Sequence, residues 1–168
     1  MMARRGFLTG LAAMAGLLAF GRRTWAAAVD APADPESIDP IELSAAEWKE
    51  RLGAAQYRIL REEGTEPRGT SELNGEKRAG QYLCAGCGLV LFESDWKFDS
   101  GTGWPSFYTV YKAHVGTKTD RKLFYERTEY HCARCGGHQG HVFEDGPEPT
   151  GLRYCNNGLA LTFQPRSG

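Results

Sequence analysis

Five cysteines fall into two pairs and a single residue. Cys84-Ala85-Gly86-Cys87-Gly88 and Cys132-Ala133-Arg134-Cys135-Gly136 are near-identical knuckles. In such a turn both sulfurs point at one centre, and the glycine that follows lets the backbone curl beneath them. Four thiolates from two knuckles make a closed tetrahedral site, which suits one structural Zn2+ per chain. With 44 residues between the knuckles, the metal ties two distant β-hairpins together rather than building a small finger. Two disulfides or a redox-active Cys-x-x-Cys are the competing readings. A bridge closing so short a loop stabilises little. A thioredoxin-type pair opens a helix, whereas these pairs lie between strand-like runs.

Cys155 is left over. A free cysteine is often a small buried hydrophobe, and an odd thiol in an exported protein is either an intermolecular partner or a reactive group. Its neighbours favour the reactive group. Arg153 lies two residues earlier, so on a strand both side chains share a face. A guanidinium there stabilises the thiolate and lowers its pKa. His138 and His141 follow the second knuckle. They read as zinc ligands, as surface histidines, or as proton donors set by a metal-anchored turn; the first is disfavoured because four cysteines already fill the tetrahedron. In Gly101-Thr102-Gly103-Trp104-Pro105-Ser106-Phe107 the indole belongs either to the core or to a loop tip, and the flanking Gly and Pro favour the tip.

The elements that must carry these residues are short. Ser44-Ala45-Ala46-Glu47 is a capping box that opens a helix through Trp48 and Leu52, which Gly53 can end. Tyr57 and Leu60 mark a second short helix that stops near Gly64. From Gly80 the texture turns to β: 82–83, 89–92, 107–111, 123–125 and 159–163 are short apolar or aromatic runs, mostly bounded by Gly, Asp, Asn or Pro. The pattern predicts a mainly β, mostly antiparallel domain behind a helical N-terminal segment.

Residues 1–28 read as an address. Arg4-Arg5 and Phe7-Leu8 begin an apolar run to Phe20 that is too short to span a bilayer comfortably, and Ala26-Ala27-Ala28 supplies a cleavage site. The stretch resembles a twin-arginine export signal and predicts a periplasmic protein. An uncleaved anchor is the alternative, for which Arg22 and Arg23 speak. Residues 29–42 read as a linker rich in Pro, Ala and Asp, and 43–166 as the functional domain. Losing residues 1–28 removes four arginines and no acid, taking the net charge from −1 to −5. A mildly acidic domain without a basic run excludes nucleic acid as a partner and any membrane adhesion beyond the leader.

Four separated strings together resemble the methionine-R-sulfoxide reductases. They are Cys84-Ala-Gly-Cys87-Gly, Phe98-Asp-Ser-Gly-Thr-Gly-Trp-Pro-Ser-Phe107, His131-Cys-Ala-Arg-Cys-Gly-Gly-His-Gln-Gly-His-Val-Phe143 and Arg153-Tyr-Cys-Asn-Asn157. The resemblance implies two small antiparallel sheets with a helical N-terminal segment, and a four-cysteine zinc site away from the reaction centre. It implies that Cys155 is the nucleophile, that Trp104 receives the substrate methyl group, and that His138, His141, Arg153 and Asn157 line the pocket with Asp145 holding Arg153. The substrates it implies are oxidised proteins carrying the R epimer of methionine sulfoxide, and the electron donor a thioredoxin-like or other thiol. The chemistry agrees: a sulfoxide sulfur is electrophilic when its oxygen is protonated, a thiolate can attack it, and the cysteine is left as sulfenic acid. One departure matters. Many members carry a resolving cysteine at position 102, and here that residue is Thr102, so turnover is expected to use an external thiol directly, or a less usual route. Asn156 and Gly158 also differ from the more typical residues.

Overall fold

A computed structural model describes residues 38–123 and 125–167. The predicted export signal and most of the predicted linker lie outside these residues. The end of the linker does not: Ile38 and Ile41 pack against the core, and the Ile41 amide donates to the Arg134 carbonyl at 2.7 Å.

Helix α1 spans Ala45–Arg51 and opens with the expected capping box. The Ser44 amide donates to Glu47 Oε2 at 2.7 Å, and the Glu47 amide donates to Ser44 Oγ at 3.3 Å. Leu52 caps its C-terminus, so Gly53 serves instead as the N-cap of α2, Ala54–Glu62. Trp48 of α1 and Ile59 and Leu60 of α2 are buried, which is where the apolar face of each short helix finds its stability.

The strands form two antiparallel sheets. The smaller has β1 (Gly80–Cys84) between β2 (Val90–Glu93) and β9 (Leu161–Pro165). The larger contains β3 (Lys97–Phe98), β4 (Ser106–Phe107), β5 (Val115–Asp120), β6 (Arg127–Cys132), β7 (His138–Phe143) and β8 (Arg153–Asn156), in the order β3-β4-β8-β7-β6-β5. Aromatic rings join the sheets. Phe92 stacks on Phe107 with centroids 4.0 Å apart, Tyr82 meets Phe107 edge-on at 4.9 Å, and Phe92 meets Tyr130 edge-on at 6.4 Å.

Two of the apolar runs depart from the strand reading. Strand β4 ends at Phe107, because the Tyr108 amide turns to the Trp96 carbonyl and the Tyr111 amide to that of Leu91. Leu123 and Tyr125 lie in the connection between β5 and β6, 48% and 60% exposed. The hairpin ladder closes at the Asp120–Arg127 pair, so residues beyond it have no strand to join. Apolar composition marked this run, but pairing decides what is a strand.

Candidate active site

The register of the large sheet builds the site. Ser106 of β4 pairs with Cys155 of β8, Cys155 with His141 of β7, His141 with Glu129 of β6, and Glu129 with Lys118 of β5. Side chains alternate across a strand, so these five residues form one row on one face. The next row, Phe107-Tyr154-Val142-Thr128-Thr119, points to the other face and feeds the aromatic core. Strands β7 and β8 approach so closely that a β-carbon at Gly140 would lie 1.9 Å from the Cys155 carbonyl oxygen. Only glycine allows that approach.

Cys155 is partly exposed, and three influences act on its thiol. Burial pushes it up; the Arg153 charge, and hydrogen bonds from Thr102 and Arg153, pull it back. Burial wins, so the resting thiol sits above its ordinary value. Arg153 lowers the thiol, as expected, and desolvation of the thiolate outweighs that one guanidinium. Arg153 is itself buried. Its Nε and Nη2 donate to Asp145 Oδ1 and Oδ2, each at 2.8 Å, and its Cζ lies 4.3 Å from the centroid of the Phe143 ring. Hydrogen bonding to Arg153 holds the Asp145 carboxyl below the usual range.

Each site histidine is backed by a carboxylate. His138 Nδ1 donates to Glu129 Oε1 at 2.7 Å, and His131 Nδ1 to Glu129 Oε2 at 3.0 Å. His141 Nε2 donates to Asp120 Oδ2 at 2.7 Å. The two site rings are 5.5 Å apart, centroid to centroid. Burial alone would push Glu129 up, but its two imidazole partners more than offset that and hold it down. Asp120 is held well below the carboxylate range, chiefly by the Lys122 amide at 2.9 Å and, against some desolvation, by His141 and Arg127. Burial drives the His141 pKa down, helped by the nearby Arg127 and His138 charges and opposed by Asp120.

Trp104 stands on a braced loop. Its Nε1 donates to the Glu66 carbonyl at 3.1 Å, Arg68 Nη2 donates to the Gly101 carbonyl at 2.7 Å, and Asn74 Nδ2 donates to the Gly103 carbonyl at 3.1 Å. The ring is half-buried, as a loop-tip indole would be. Asn157 is buried with both ends of its amide engaged: Nδ2 donates to the Gln139 carbonyl at 3.0 Å, and Oδ1 accepts from the Glu66 amide at 3.0 Å. It braces the turn after Cys155 against β7.

The structure thus brings Cys155, His138, His141, Arg153 and Asp145 to one sheet, with Asn157 beneath. It adds three carboxylates absent from the sequence reading. Asp120 and Glu129 lie behind the histidines. The buried Glu66 carboxylate accepts the Gly158 and Leu159 amides at 2.5 and 3.1 Å, fixing the chain just past Cys155. The alternation Arg127-Thr-Glu129-Tyr-His131 already carried a signal, because every second residue is charged or titratable. Nothing local marks Asp120 or Glu66.

The four remaining cysteines converge elsewhere. Their sulfurs all lie within 4.8 Å of one another, with Cys84 and Cys135 at 3.7 Å and Cys87 and Cys132 at 3.5 Å. A zinc tetrahedron with bonds of about 2.3 Å has sulfurs about 3.8 Å apart, so the donor set fits the ion. The separations are far too long for a disulfide, about 2.05 Å, and all five thiols are free. Each knuckle closes through the amide of the glycine that follows it, Gly88 to Cys84 O and Gly136 to Cys132 O, both at 2.8 Å, with φ of 76° and 65°. Gln139 Nε2 reaches Cys84 Sγ at 3.4 Å, so β7 runs directly from the four-cysteine cluster to the site histidines.

The family described as SelR domain matches residues 52–165. A protein of Bradyrhizobium diazoefficiens named peptide methionine sulfoxide reductase MsrB is 51% identical over 129 residues, covering 76% of this chain and 93% of that protein. A protein of the same name from Leptospira interrogans is 53% identical over 125 residues, 74% of this chain and 95% of its own length. Another from Methanosarcina barkeri is 52% identical over 125 residues, 74% and 88% of the two chains.

Proposed function

The chain belongs to the SelR-domain family, the methionine-R-sulfoxide reductases, and on that premise we propose that Cys155 removes the oxygen and is left as a sulfenic acid. It is an oxidoreductase, a peptide-methionine (R)-S-oxide reductase. The observation that carries the proposed chemistry is the cross-strand pairing of Cys155 with His141, on the sheet face that also presents Arg153.

The substrate S-methyl group rests against the Trp104 ring, which suits a polarised methyl better than an aliphatic wall. The Cys155 thiolate attacks the sulfoxide sulfur while an imidazole, His138 or His141, protonates the oxygen. The oxygen passes to Cys155 as hydroxyl, methionine leaves, and no net proton is consumed. Arg153, held by Asp145, keeps a positive charge beside the sulfur as it ionises. One external thiol then attacks the sulfenic acid and releases water, and a second frees Cys155 from the mixed disulfide. Oxidised proteins are the substrates and a thioredoxin-like or other thiol is the donor.

We assign one Zn2+ to Cys84, Cys87, Cys132 and Cys135. Four thiolates leave no open position, so its contribution is to hold the knuckles together. The leader supports export by the twin-arginine route and repair of proteins outside the cytoplasm; an uncleaved anchor would give the same compartment.

The test is a stereospecific one. Protein given methionine-R-sulfoxide without reductant is expected to gain one oxygen at Cys155 by mass spectrometry and release an equal amount of methionine, with no reaction of the S epimer. Dithiothreitol should restore turnover. Absence of oxidation at Cys155 overturns the mechanism.

Thr102 gives a second expectation. It lies on the loop leading into β4, whose Ser106 pairs with Cys155, and it is one of the groups that lower the Cys155 thiol. Thr102→Cys should therefore convert the trapped sulfenic acid into an intramolecular disulfide. After one turnover without reductant, dimedone should label the parent protein and leave the variant unlabelled; labelling of the variant would show that position 102 cannot resolve the sulfenic acid, and an unlabelled parent would refute the direct-thiol route.

A further inference from the structure

We propose that Asp120 is a positioning residue for the reaction, the third member of a Cys155-His141-Asp120 arrangement. The inference rests on Cys155 being the nucleophile. Asp120 ends β5, two strands away from β7, and is 35 residues from Cys155 in the chain. Its carboxylate is 8% exposed yet fully engaged. Oδ1 accepts the Lys122 amide at 2.9 Å, and Oδ2 accepts Arg127 Nη2 at 2.5 Å and His141 Nε2 at 2.7 Å.

An ionised carboxylate only accepts hydrogen bonds, so the proton between Asp120 and His141 belongs to Nε2. Neutral His141 therefore presents a bare lone pair at Nδ1. In that tautomer the ring cannot act as a resident acid; it must first take a proton. Cys155, its cross-strand partner, holds one. The S–H bond breaks and an N–H bond forms at Nδ1. The imidazolium then gives that proton to the sulfoxide oxygen while the thiolate electron pair goes to the sulfoxide sulfur. The substrate is reduced and Cys155 oxidised, with no other reagent and no net proton.

The charges around His141 explain why a carboxylate is needed. Its sheet face holds Asp120 and Lys118 of β5, Arg127 and Glu129 of β6, His138 of β7, and Cys155 and Arg153 of β8, with Lys118 and Lys122 paired to Glu63. Burial, Arg127 and His138 all disfavour the imidazolium, and burial also disfavours the thiolate. The ion pair is a minor state, and Asp120 is the group that raises its population.

Two measurements on the zinc-loaded full chain test this. Nitrogen-15 NMR at a pH where His141 is neutral should show its proton on Nε2; a proton on Nδ1 overturns the proposal, whatever the variants do. In single turnover, Asp120→Asn should oxidise Cys155 about a hundredfold more slowly, with Asp120→Glu recovering to within about tenfold of the parent rate. Sulfoxide binding should change less than about threefold, and the inflection that reports His141 should move to lower pH, because the imidazolium has lost its counter-charge. A merely structural role would leave that inflection in place. An Asn variant within about threefold of the parent, with an unmoved inflection, refutes the role of Asp120 alone. A parent protein that leaves Cys155 unoxidised refutes the nucleophile, and the NMR measurement still decides the tautomer.

Discussion

Cys155→Ser is expected to abolish reduction of methionine-R-sulfoxide while leaving the fold and the metal untouched. A hydroxyl is far less acidic than a thiol and cannot end as a sulfenic acid, so the loss should exceed about a thousandfold. The site is half-buried and serine nearly isosteric, so the melting temperature should stay within about 3 °C. The four clustered cysteines are other sulfurs, and zinc content is expected to be one per chain in both proteins. Activity assayed with dithiothreitol, calorimetry and metal analysis together check the claim. Retained activity would remove Cys155 from the mechanism, whereas unfolding would mean that its role is structural.

The second large effect belongs to Cys84. Cys84→Ser should lose the metal and most of the stability. Its sulfur is buried, contacts Cys135 at 3.7 Å and accepts from Gln139 Nε2 at 3.4 Å, so a hydroxyl there gives up both a ligand and a buried contact. Structural zinc contributes about 10–16 kcal/mol in small zinc-binding peptides, against a net domain stability of about 5–15 kcal/mol. Losing even half of that lowers the melting temperature by at least about 10 °C. Stripping the parent protein with a strong chelator should produce the same destabilisation, and returning zinc should reverse it. A variant that melts with the parent and holds zinc would place the cluster outside the stability of the fold.

The two variants separate because the centres are separate, and that much was legible along the chain. Two Cys-x-x-Cys-Gly strings identify a four-sulfur site by local spacing, since a knuckle is a turn closed within five residues. The alternation of Arg153 and Cys155 gave their shared face, because a strand has a period of two. The capping box at Ser44 and Glu47 also involves only neighbours, and formed as read. Even the odd cysteine stood out by subtraction.

Other features depended on distant residues. Asp120 and Glu66 carry no local mark, yet one sits behind His141 and the other fixes the chain after Cys155. The run at 123–125 resembles a strand in composition, but two of its residues have nothing to pair with. The net direction of the Cys155 shift depends on distant residues in the same way: the neighbouring arginine that lowers it is visible in a string of letters, and the burial that raises it is not.

Residue types, spacing and turn chemistry thus marked by themselves the four-sulfur cluster, the odd cysteine and the antiparallel class of the fold, while the kind of reaction was legible through the resemblance of four separated strings to a known family. Tertiary structure alone decided the row from Ser106 through Cys155, His141 and Glu129 to Lys118, the carboxylates behind the imidazoles, and how strongly each charge is felt. Local conformation is set by interactions within a few residues. Register and desolvation are set by where the rest of the chain comes to lie.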